Sequence, residues 1–375
     1  MADRVIIVDV RRANEELRPR DIQQMMGRSG RIHGDRDSSD VHIIVTNDDL
    51  QRWKAKLENP SSYEIRSNLN DLSVFSFHVI SHIVRGTITN KESFYDWYDR
   101  TLDKFQRQER GEKIPDYHEI AQELHSTGSA EYNEDTSEIK PKPLGKICAA
   151  YYFSPYDVRD WFANICELNR RDLLWNDACQ AWALSNIKSA MEWDNEIIRA
   201  QSENLTDRIL ANRLQIKKGT TARLLATDCA LNGRKPRCDL PIFYSVKNDM
   251  SRILTAWEAI GKVSRRSLGD ISGFVDALKI RQAYGVPTRM TKIVSLPGIG
   301  KTTAHTLCDT YEVYTAKELQ DKFEFIYESA SSGIKRSLTN YKKHLEKGST
   351  SEKPKVSYKS GKRTREGHDE FGELE

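Results

Sequence analysis

An arginine-rich stretch near the start of the sequence, QQMMGRSGR at residues 23–31, holds side chains suited to phosphate chemistry. Arg28 and Arg31 lie about one helical turn apart, so both can face the same cleft. Arginine stays charged and can bond phosphate oxygens in pairs, which stabilises charge that develops on a transferred phosphoryl group. Gly27 and Gly30 let the backbone turn tightly around the arginines. The alternative is an arginine-rich surface loop without a ligand.

A second stretch, SLPGIGKTT at residues 295–303, is compatible with two kinds of chemistry. Its Gly-Lys-Thr ending is typical of a nucleotide-binding P-loop, but that motif requires glycine where Ser295 stands. A P-loop also follows a buried strand, whereas residues 286–294 place their apolar side chains at helical spacing. The sequence therefore favours a turn between two helices.

A glycine turn between two helices is suited to binding the backbone of a nucleic acid. Gly298 and Gly300 have no side chains that would keep a phosphate away, and the N–H groups at a helix start attract anions. Lys301 adds a positive charge, and Thr302 can add a hydroxyl hydrogen bond. Such contacts hold phosphates without reading the base sequence. A plain glycine-rich turn and a degenerate P-loop remain as alternatives.

The composition predicts a soluble, globular, intracellular protein of the cytoplasm or nucleus. The chain has 375 residues, 38% of them hydrophobic and 30% charged, which is enough for two to four domains. The formal net charge of +3 excludes a strongly basic protein, although basic patches can exist within a balanced total. The six cysteines include no C-x-x-C pair, so we expect reduced thiols and no metal site. No apolar run is long enough to predict a membrane span.

The periodicity of apolar residues predicts a mostly α-helical protein with a short α/β start. Residues 1–50 contain strand, helix and strand, the order found at the end of an α/β domain. Residues 51–154 contain three helices and a β-ribbon, the order of a winged-helix domain. Residues 155–285 have almost only helical spacing, which predicts a bundle. Residues 286–328 hold the glycine turn and its helices, and the polar residues 329–375 predict a disordered tail.

The stretch at residues 23–31 matches the Q-x-x-G-R-x-G-R pattern of helicase motif VI, and the chain resembles the Ski-like branch of superfamily 2 helicases. It is most similar to the archaeal fork-repair helicases, in PLGKICAAYYFSP at residues 143–155 and in the passage from residue 277 to residue 320. The resemblance covers about residues 1–328. It implies the end of a second RecA-like domain, a winged helix, a helical ratchet bundle and a helix-hairpin-helix.

The resemblance also implies roles for individual residues of the arginine-rich stretch. Arg28 and Arg31 would be catalytic, because they would reach the phosphates of ATP held by another RecA-like domain. Gln24 would orient the attacking water or sense the nucleotide. Gly27 and Gly30 would lie beside that nucleotide.

In the resembled helicases one helix of the bundle presents an arginine and an aromatic residue to the threaded single strand. Arg252 and Trp257 are the candidates in this sequence, because an aromatic face can stack on any base. The two residues are five positions apart and do not share a helix face well. Trp257 as an ordinary core residue therefore remains an equal alternative.

The sequence lacks G-x-x-x-x-G-K-[ST] and D-E-x-H, the motifs of the helicase motor. We therefore expect the C-terminal region of an ATP-dependent helicase, with 3′-to-5′ polarity implied by the resemblance alone. ATP and Mg²⁺ would bind only together with a motor half in the same gene product or in a separate chain. The expected nucleic acid is single-stranded or forked DNA. Two alternatives stay open: a non-catalytic nucleic-acid-binding protein built from winged-helix and hairpin modules, and an RNA-unwinding relative.

Overall fold

A computed structural model describes residues 4–12, 15–27, 40–58, 66–190 and 195–346. The described chain is mostly helical with a few short strands, which confirms the mostly α class. It divides into two compact units. The first contains the described residues up to Ser126 together with Ala130–Pro141, and the second contains Thr127–Ser129 and the described residues from Lys142 onward.

The first unit begins with a parallel β-α-β arrangement. Strand β1 (Arg4–Ile7) pairs in parallel with β4 (Asp40–Ile43), and helix α1 (Pro19–Met26) lies between them in sequence. Proline is favourable in the first turn of α1, where its missing N–H would have had no helical partner. The other elements are β2 (Arg11–Arg12), β3 (Glu15–Glu16) and α2 (Asn47–Glu58). The buried core of this segment is Ile7, Val10, Ile22 and Trp53.

Four helices and an antiparallel ribbon complete the first unit. They are α3 (Leu72–Val84), α4 (Lys91–Tyr98), α5 (Leu102–Arg110), α6 (Tyr117–Ser126), β5 (Ala130–Asn133) and β6 (Glu138–Pro141). The sequence predicted three helices before the ribbon. The second of these is two helices, because the Thr101 side chain caps α5 by accepting from the N–H of Lys104. The buried carboxylate of Asp103 accepts from the Tyr98 hydroxyl at 2.7 Å, which fixes α5 against α4.

The second unit begins with a helical bundle. Its helices are α7 (Pro143–Tyr151), α8 (Pro155–Arg170), α9 (Asp177–Ser185), α10 (Glu196–Ala211), α11 (Thr221–Leu231), α12 (Ile242–Val263), α13 (Arg265–Leu268) and α14 (Ser272–Tyr284). Helix α12, with 22 residues, packs against α7, α11 and α14. Ser154, Asn176 and Asn195 cap α8, α9 and α10. None of the described helices is both long and apolar enough to cross a membrane.

The last five α-helices of the described residues surround a core of their own. They are α15 (Thr291–Val294), α16 (Lys301–Thr310), α17 (Ala316–Asp321), α18 (Phe323–Ser329) and α19 (Ser332–Glu346). The prediction of a disordered tail from residue 329 is wrong for α19, because Leu338 and Tyr341 are buried in the same core as Ile299 and Leu307. The many polar residues of α19 make the apolar face formed by Leu338 and Tyr341 difficult to recognise in the sequence. Residues 347–375 lie outside the described residues.

The cysteines are all free thiols. Burial raises the pKa of Cys148 to about 12 and that of Cys179 to about 11, so neither is a reactive thiolate at neutral pH. Among the described residues, no group of three His, Cys, Asp or Glu side chains is placed to hold a metal ion.

Candidate nucleic-acid interface

The glycine turn, residues 296–300, joins α15 to α16 and is exposed on one side. Pro297, Gly298 and Gly300 are exposed, whereas Ile299 is buried and anchors the turn in the core below it. The N–H of Ile299 donates to the carbonyl of Leu296 at 3.1 Å and closes the turn. Because two of the exposed residues are glycines, much of the exposed side is backbone.

Helix α16 begins directly after this turn, with Gly300 as its N-cap. Gly300 has an extended backbone, with φ −92° and ψ 175°, and among the described residues no side chain caps the helix. The first N–H groups of a helix have no partner within the helix and carry partial positive charge. Lys301 and Thr302 are exposed at the same place. The arrangement can accept an anion such as a phosphate oxygen.

Helix α19 packs against the glycine turn at Gly298. Gly298 has φ +78°, and a Cβ atom there would lie 3.0 Å from Cβ of Asn340 and 3.2 Å from the backbone nitrogen of Tyr341. The hydroxyl of Thr303 in α16 donates to the hydroxyl of Ser337 in α19 at 3.1 Å. Gly298 therefore serves both the turn conformation and close packing. This contact is not predictable from the sequence, because the polar residues of α19 predict a disordered tail.

The helix that supports the turn is strongly basic. Four positive residues and one negative residue give α19 an excess of three charges, as large as the +3 of the whole chain. These residues are Lys335, Arg336, Lys342, Lys343 and Glu346. A concentrated positive charge beside the glycine turn attracts polyanions.

The ammonium group of Lys301 lies over the contact between two helix ends. A Cβ atom at Gly233 would be 3.0 Å from this nitrogen, and a Cβ atom at Gly285 would be 3.1 Å from it. Gly285 is the C-cap of α14, and Gly233 follows α11. The lysine therefore lies close to the C-terminal ends of two helices. In this conformation Lys301 connects the start of α16 with the bundle, a position that the sequence did not predict.

A buried arginine connects the bundle to the segment that leads into the glycine turn. The Arg281 side chain has 0% exposure. It donates to the side-chain oxygen of Gln180 in α9, to Asn232 Oδ1 at the end of α11 at 3.1 Å, and to the Val286 carbonyl at 3.2 Å. Burial lowers its pKa. One side chain thus bonds two other parts of the bundle and the start of the segment that leads into the glycine turn.

Asp177 completes this buried connection. Its Oδ1 lies 3.3 Å from Arg281 Nη1 and accepts from the backbone N–H of Thr288 at 3.0 Å and from the Thr288 hydroxyl. We call Asp177, Gln180, Asn232, Arg281 and Thr288 the junction network. An arginine and an aspartate more than 100 positions apart give no sequence signal for such a network.

Trp257 is a core residue. Its side chain has 0% exposure and its ring centroid lies 6.1 Å from that of Phe274 in α14. A buried ring cannot stack on a nucleic-acid base, so the prediction of Trp257 as a base-stacking residue is wrong. The cause is the five-residue spacing from Arg252, which turns the two side chains to different faces of α12.

Arg252, predicted to contact the nucleic acid, is accessible from solvent. Its side chain is 42% exposed and pairs with Asp249 at 3.3 Å. The guanidinium carbon lies 4.5 Å from the ring centroid of Phe153, which directly follows the C-cap of α7. The aromatic contact orients the arginine on the surface of the bundle.

The arginine-rich stretch is described only in part. Gln24 lies in α1 and is exposed, and Gly27 is the C-cap of that helix. Gly27 has φ −64°, a conformation open to any residue, so its position does not require glycine for a tight turn. Arg28, Gly30 and Arg31 lie outside the described residues.

The chain is similar to part of a helicase subunit. It is 28% identical over 212 residues to activating signal cointegrator 1 complex subunit 3 of Rattus norvegicus, a Ski2-like helicase subunit, and the match covers 52% of this chain and 9% of that protein. The chain therefore spans only a small share of the relative's length. No family model matches the chain. The partial likeness supports a relationship to helicases at the level of the family.

Proposed function

We propose that this chain is the nucleic-acid-binding C-terminal region of an ATP-dependent helicase. The observation that carries the proposal is the exposed start of α16, which directly follows the glycine turn and has no side-chain cap among the described residues. Buried hydrogen bonds connect the segment before this turn to the helical bundle. The partial likeness to a helicase subunit supports the same class. In this proposal the four helices and ribbon of the first unit form a winged helix, and α15 and α16 form a helix-hairpin-helix.

The proposed grip acts on the sugar-phosphate backbone. Phosphate oxygens would accept hydrogen bonds from the first N–H groups of α16, where the Thr302 hydroxyl is also exposed. The basic surface of α19 would increase the local attraction, and Arg252 on the bundle would contact the strand at a second place. Contacts of this kind are independent of base sequence, as a translocating protein requires.

The ATP connection of the proposal depends on Gln24, Arg28 and Arg31. Arg28 and Arg31 would bond phosphate oxygens of ATP that a motor half binds together with Mg²⁺, and Gly27 and Gly30 would lie beside the nucleotide. Gln24 is exposed and therefore accessible to such a partner. Bound ATP would supply the free energy for strand separation.

The binding part of the proposal is tested with the full chain and labelled oligonucleotides. We expect it to bind single-stranded and forked DNA, and the logarithm of its affinity to fall linearly with the logarithm of salt concentration. RNA of the same sequence is the comparison, and tighter RNA binding would favour the RNA-unwinding alternative. Absence of binding to every one of these nucleic acids would contradict the proposal.

The ATP part is tested by mixing the chain with a helicase motor half that carries the P-loop and D-E-x-H motifs. We expect nucleic-acid-stimulated ATP hydrolysis only in the mixture, and a loss of about 1,000-fold with Arg28→Ala or Arg31→Ala. Arg4→Ala, at an exposed arginine paired with Asp40, is the control. Hydrolysis by this chain alone, or arginine variants that behave like the control, would refute this part. Binding without any stimulation would favour the non-catalytic alternative.

A further inference from the structure

The helical bundle holds a group of positive side chains around one buried carboxylate. Asp160 of α8 accepts from Arg159 Nε at 3.1 Å and from Arg159 Nη2 at 2.8 Å. It also accepts from Lys217 Nζ at 2.6 Å and from the backbone N–H of Lys188 at 2.9 Å. A carboxylate has about four lone-pair positions, so these four hydrogen bonds leave it no capacity for a further donor. We call Arg159, Lys188 and Lys217 the cation cluster.

The cation cluster has positive charge and N–H donors that the carboxylate cannot satisfy. The Lys188 ammonium group forms no ion pair or hydrogen bond with any residue that the structure describes, and it lies 3.7 Å from the ring centroid of Tyr156. A second carboxyl group, Asp157, is buried three positions before Asp160, and burial raises its pKa, which disfavours its charged form. The excess of positive charge favours binding of an anion.

The cation cluster is accessible from solvent, whereas its carboxylate is not. The Arg159 and Lys217 side chains are each 39% exposed and Lys188 is exposed, but the Asp160 side chain is only 8% exposed. The backbone around the cluster is held in place as well, because Asn186 Oδ1 accepts from the N–H of Lys217 at 2.9 Å. Cations that are already positioned lose less conformational entropy when they bind a ligand.

We infer that the cation cluster binds a phosphate group of a nucleic-acid strand, with Lys188 as its main ligand and Arg159 and Lys217 beside it. Ammonium and guanidinium groups form strong, charge-assisted hydrogen bonds with phosphate oxygens, and these contacts are independent of base sequence. The inference rests on the proposed nucleic-acid binding, and it adds a contact that neither the glycine turn nor Arg252 supplies. Free phosphate offers the same oxygens, so the experiment separates the two sources.

Lysine acetylation of the full chain tests the position of the site. The chain is treated with an amine-acetylating reagent alone, with oligothymidylate and with inorganic phosphate at the same phosphate concentration, and mass spectrometry measures the acetylation of each lysine. We expect oligothymidylate to protect Lys188 and inorganic phosphate to protect it much less. Lys262 is the matched control, since it is a 73% exposed lysine of the same bundle that pairs with Glu258 at 2.8 Å, and it should stay unprotected. Equal protection of Lys188 by both anions would overturn the inference in favour of a free-phosphate site.

Charge removal at Lys188 tests the contribution of the site to binding. Lys188→Gln should leave thermal unfolding unchanged, because the ammonium group forms no hydrogen bond with the described residues. We expect it to bind oligothymidylate about ten-fold more weakly, with a salt slope shallower by about 0.7, whereas Lys262→Gln should behave like the wild type. If Lys188→Gln binds like Lys262→Gln, or if bound oligothymidylate leaves Lys188 unprotected, the inference is wrong and the proposed function stands. A wild-type chain that binds no nucleic acid overturns both.

Discussion

In the described part of the N-terminal segment, residues 4–58, an apolar core including Ile7, Ile22 and Trp53 is accompanied by ion pairs that are exposed or part-buried. Arg4 and Asp40, for example, pair at 3.0 Å with side chains that are 60% and 66% exposed. In the junction network, by contrast, the fully buried Arg281 bonds residues from α9, from the end of α11 and from the start of the segment that leads into the glycine turn. Exposed pairs add little to stability, whereas a buried charge that loses a partner is costly.

This difference indicates where the stability and geometry of the fold depend on single residues. In the N-terminal segment many small apolar contacts share the stabilisation, so no exposed charge is critical. At the junction, the placement of the glycine turn on the bundle depends on a few hydrogen bonds with defined directions. Such networks specify one geometry, which a rigid nucleic-acid grip needs.

The largest expected effect is that of Arg281→Ala. It removes the guanidinium that bonds Gln180, Asn232 and the Val286 carbonyl and pairs with Asp177, and we expect a loss of about 3–5 kcal/mol in unfolding free energy. Equilibrium urea unfolding measures it, with Arg4→Ala as the exposed control at about 0.5 kcal/mol or less. If both variants lose the same free energy, the contrast between the two regions is wrong.

A smaller effect is expected at the glycine turn. Gly298→Ala places a Cβ atom at φ +78° and 3.0 Å from Asn340, so we expect a loss of about 1–3 kcal/mol. The matched change in the N-terminal segment is Gly27→Ala, at φ −64°, where a Cβ atom would make only ordinary van der Waals contacts at 3.5 Å or more, so it should cost almost nothing. Thermal unfolding of both variants gives the comparison, and equal stability of the two would show that α19 does not support the turn.

Glu258 provides an intermediate case between exposed and buried pairs. Hydrogen bonds from Lys262 and Lys279 lower the pKa of Glu258 from 4.5 to about 2. The folded state therefore gains stability from this carboxylate above about pH 4.5 and loses it as the pH falls towards 2. Urea unfolding above pH 5 and at about pH 3 should show a smaller drop for Glu258→Gln than for the wild type. A drop of the same size in both proteins would mean that this pair contributes nothing measurable.

The sequence was sufficient to predict features that depend on local pattern. Helical spacing predicted the bundle, and the glycines with their flanking apolar residues predicted a turn between α15 and α16. Local composition was misleading for a helix that combines one apolar face with many charged residues. Helix α19 has a basic, polar composition, yet its Leu338 and Tyr341 side chains are buried in the core that α15–α19 share.

Long-range relations could not be predicted from local patterns. Arg281 in RQAYG has no feature that distinguishes it from a surface arginine, because its partners Gln180 and Asn232 are distant in sequence. Likewise, a tryptophan such as Trp257 could have stacked on a base. Only its contact with α14, from within α12, shows that it is a core residue.

Binding of nucleic-acid phosphate at the start of α16 can be tested by comparing Gly300→Asp with Gly300→Asn. A Cβ atom at Gly300 meets nothing within 4 Å, and both substitutions can cap α16 equally well, so both proteins should fold with wild-type stability or slightly better. They differ only in one negative charge at the proposed phosphate position. We predict that Gly300→Asp binds single-stranded DNA at least about ten-fold more weakly than Gly300→Asn at low salt. Equal affinity of the two variants would contradict the account.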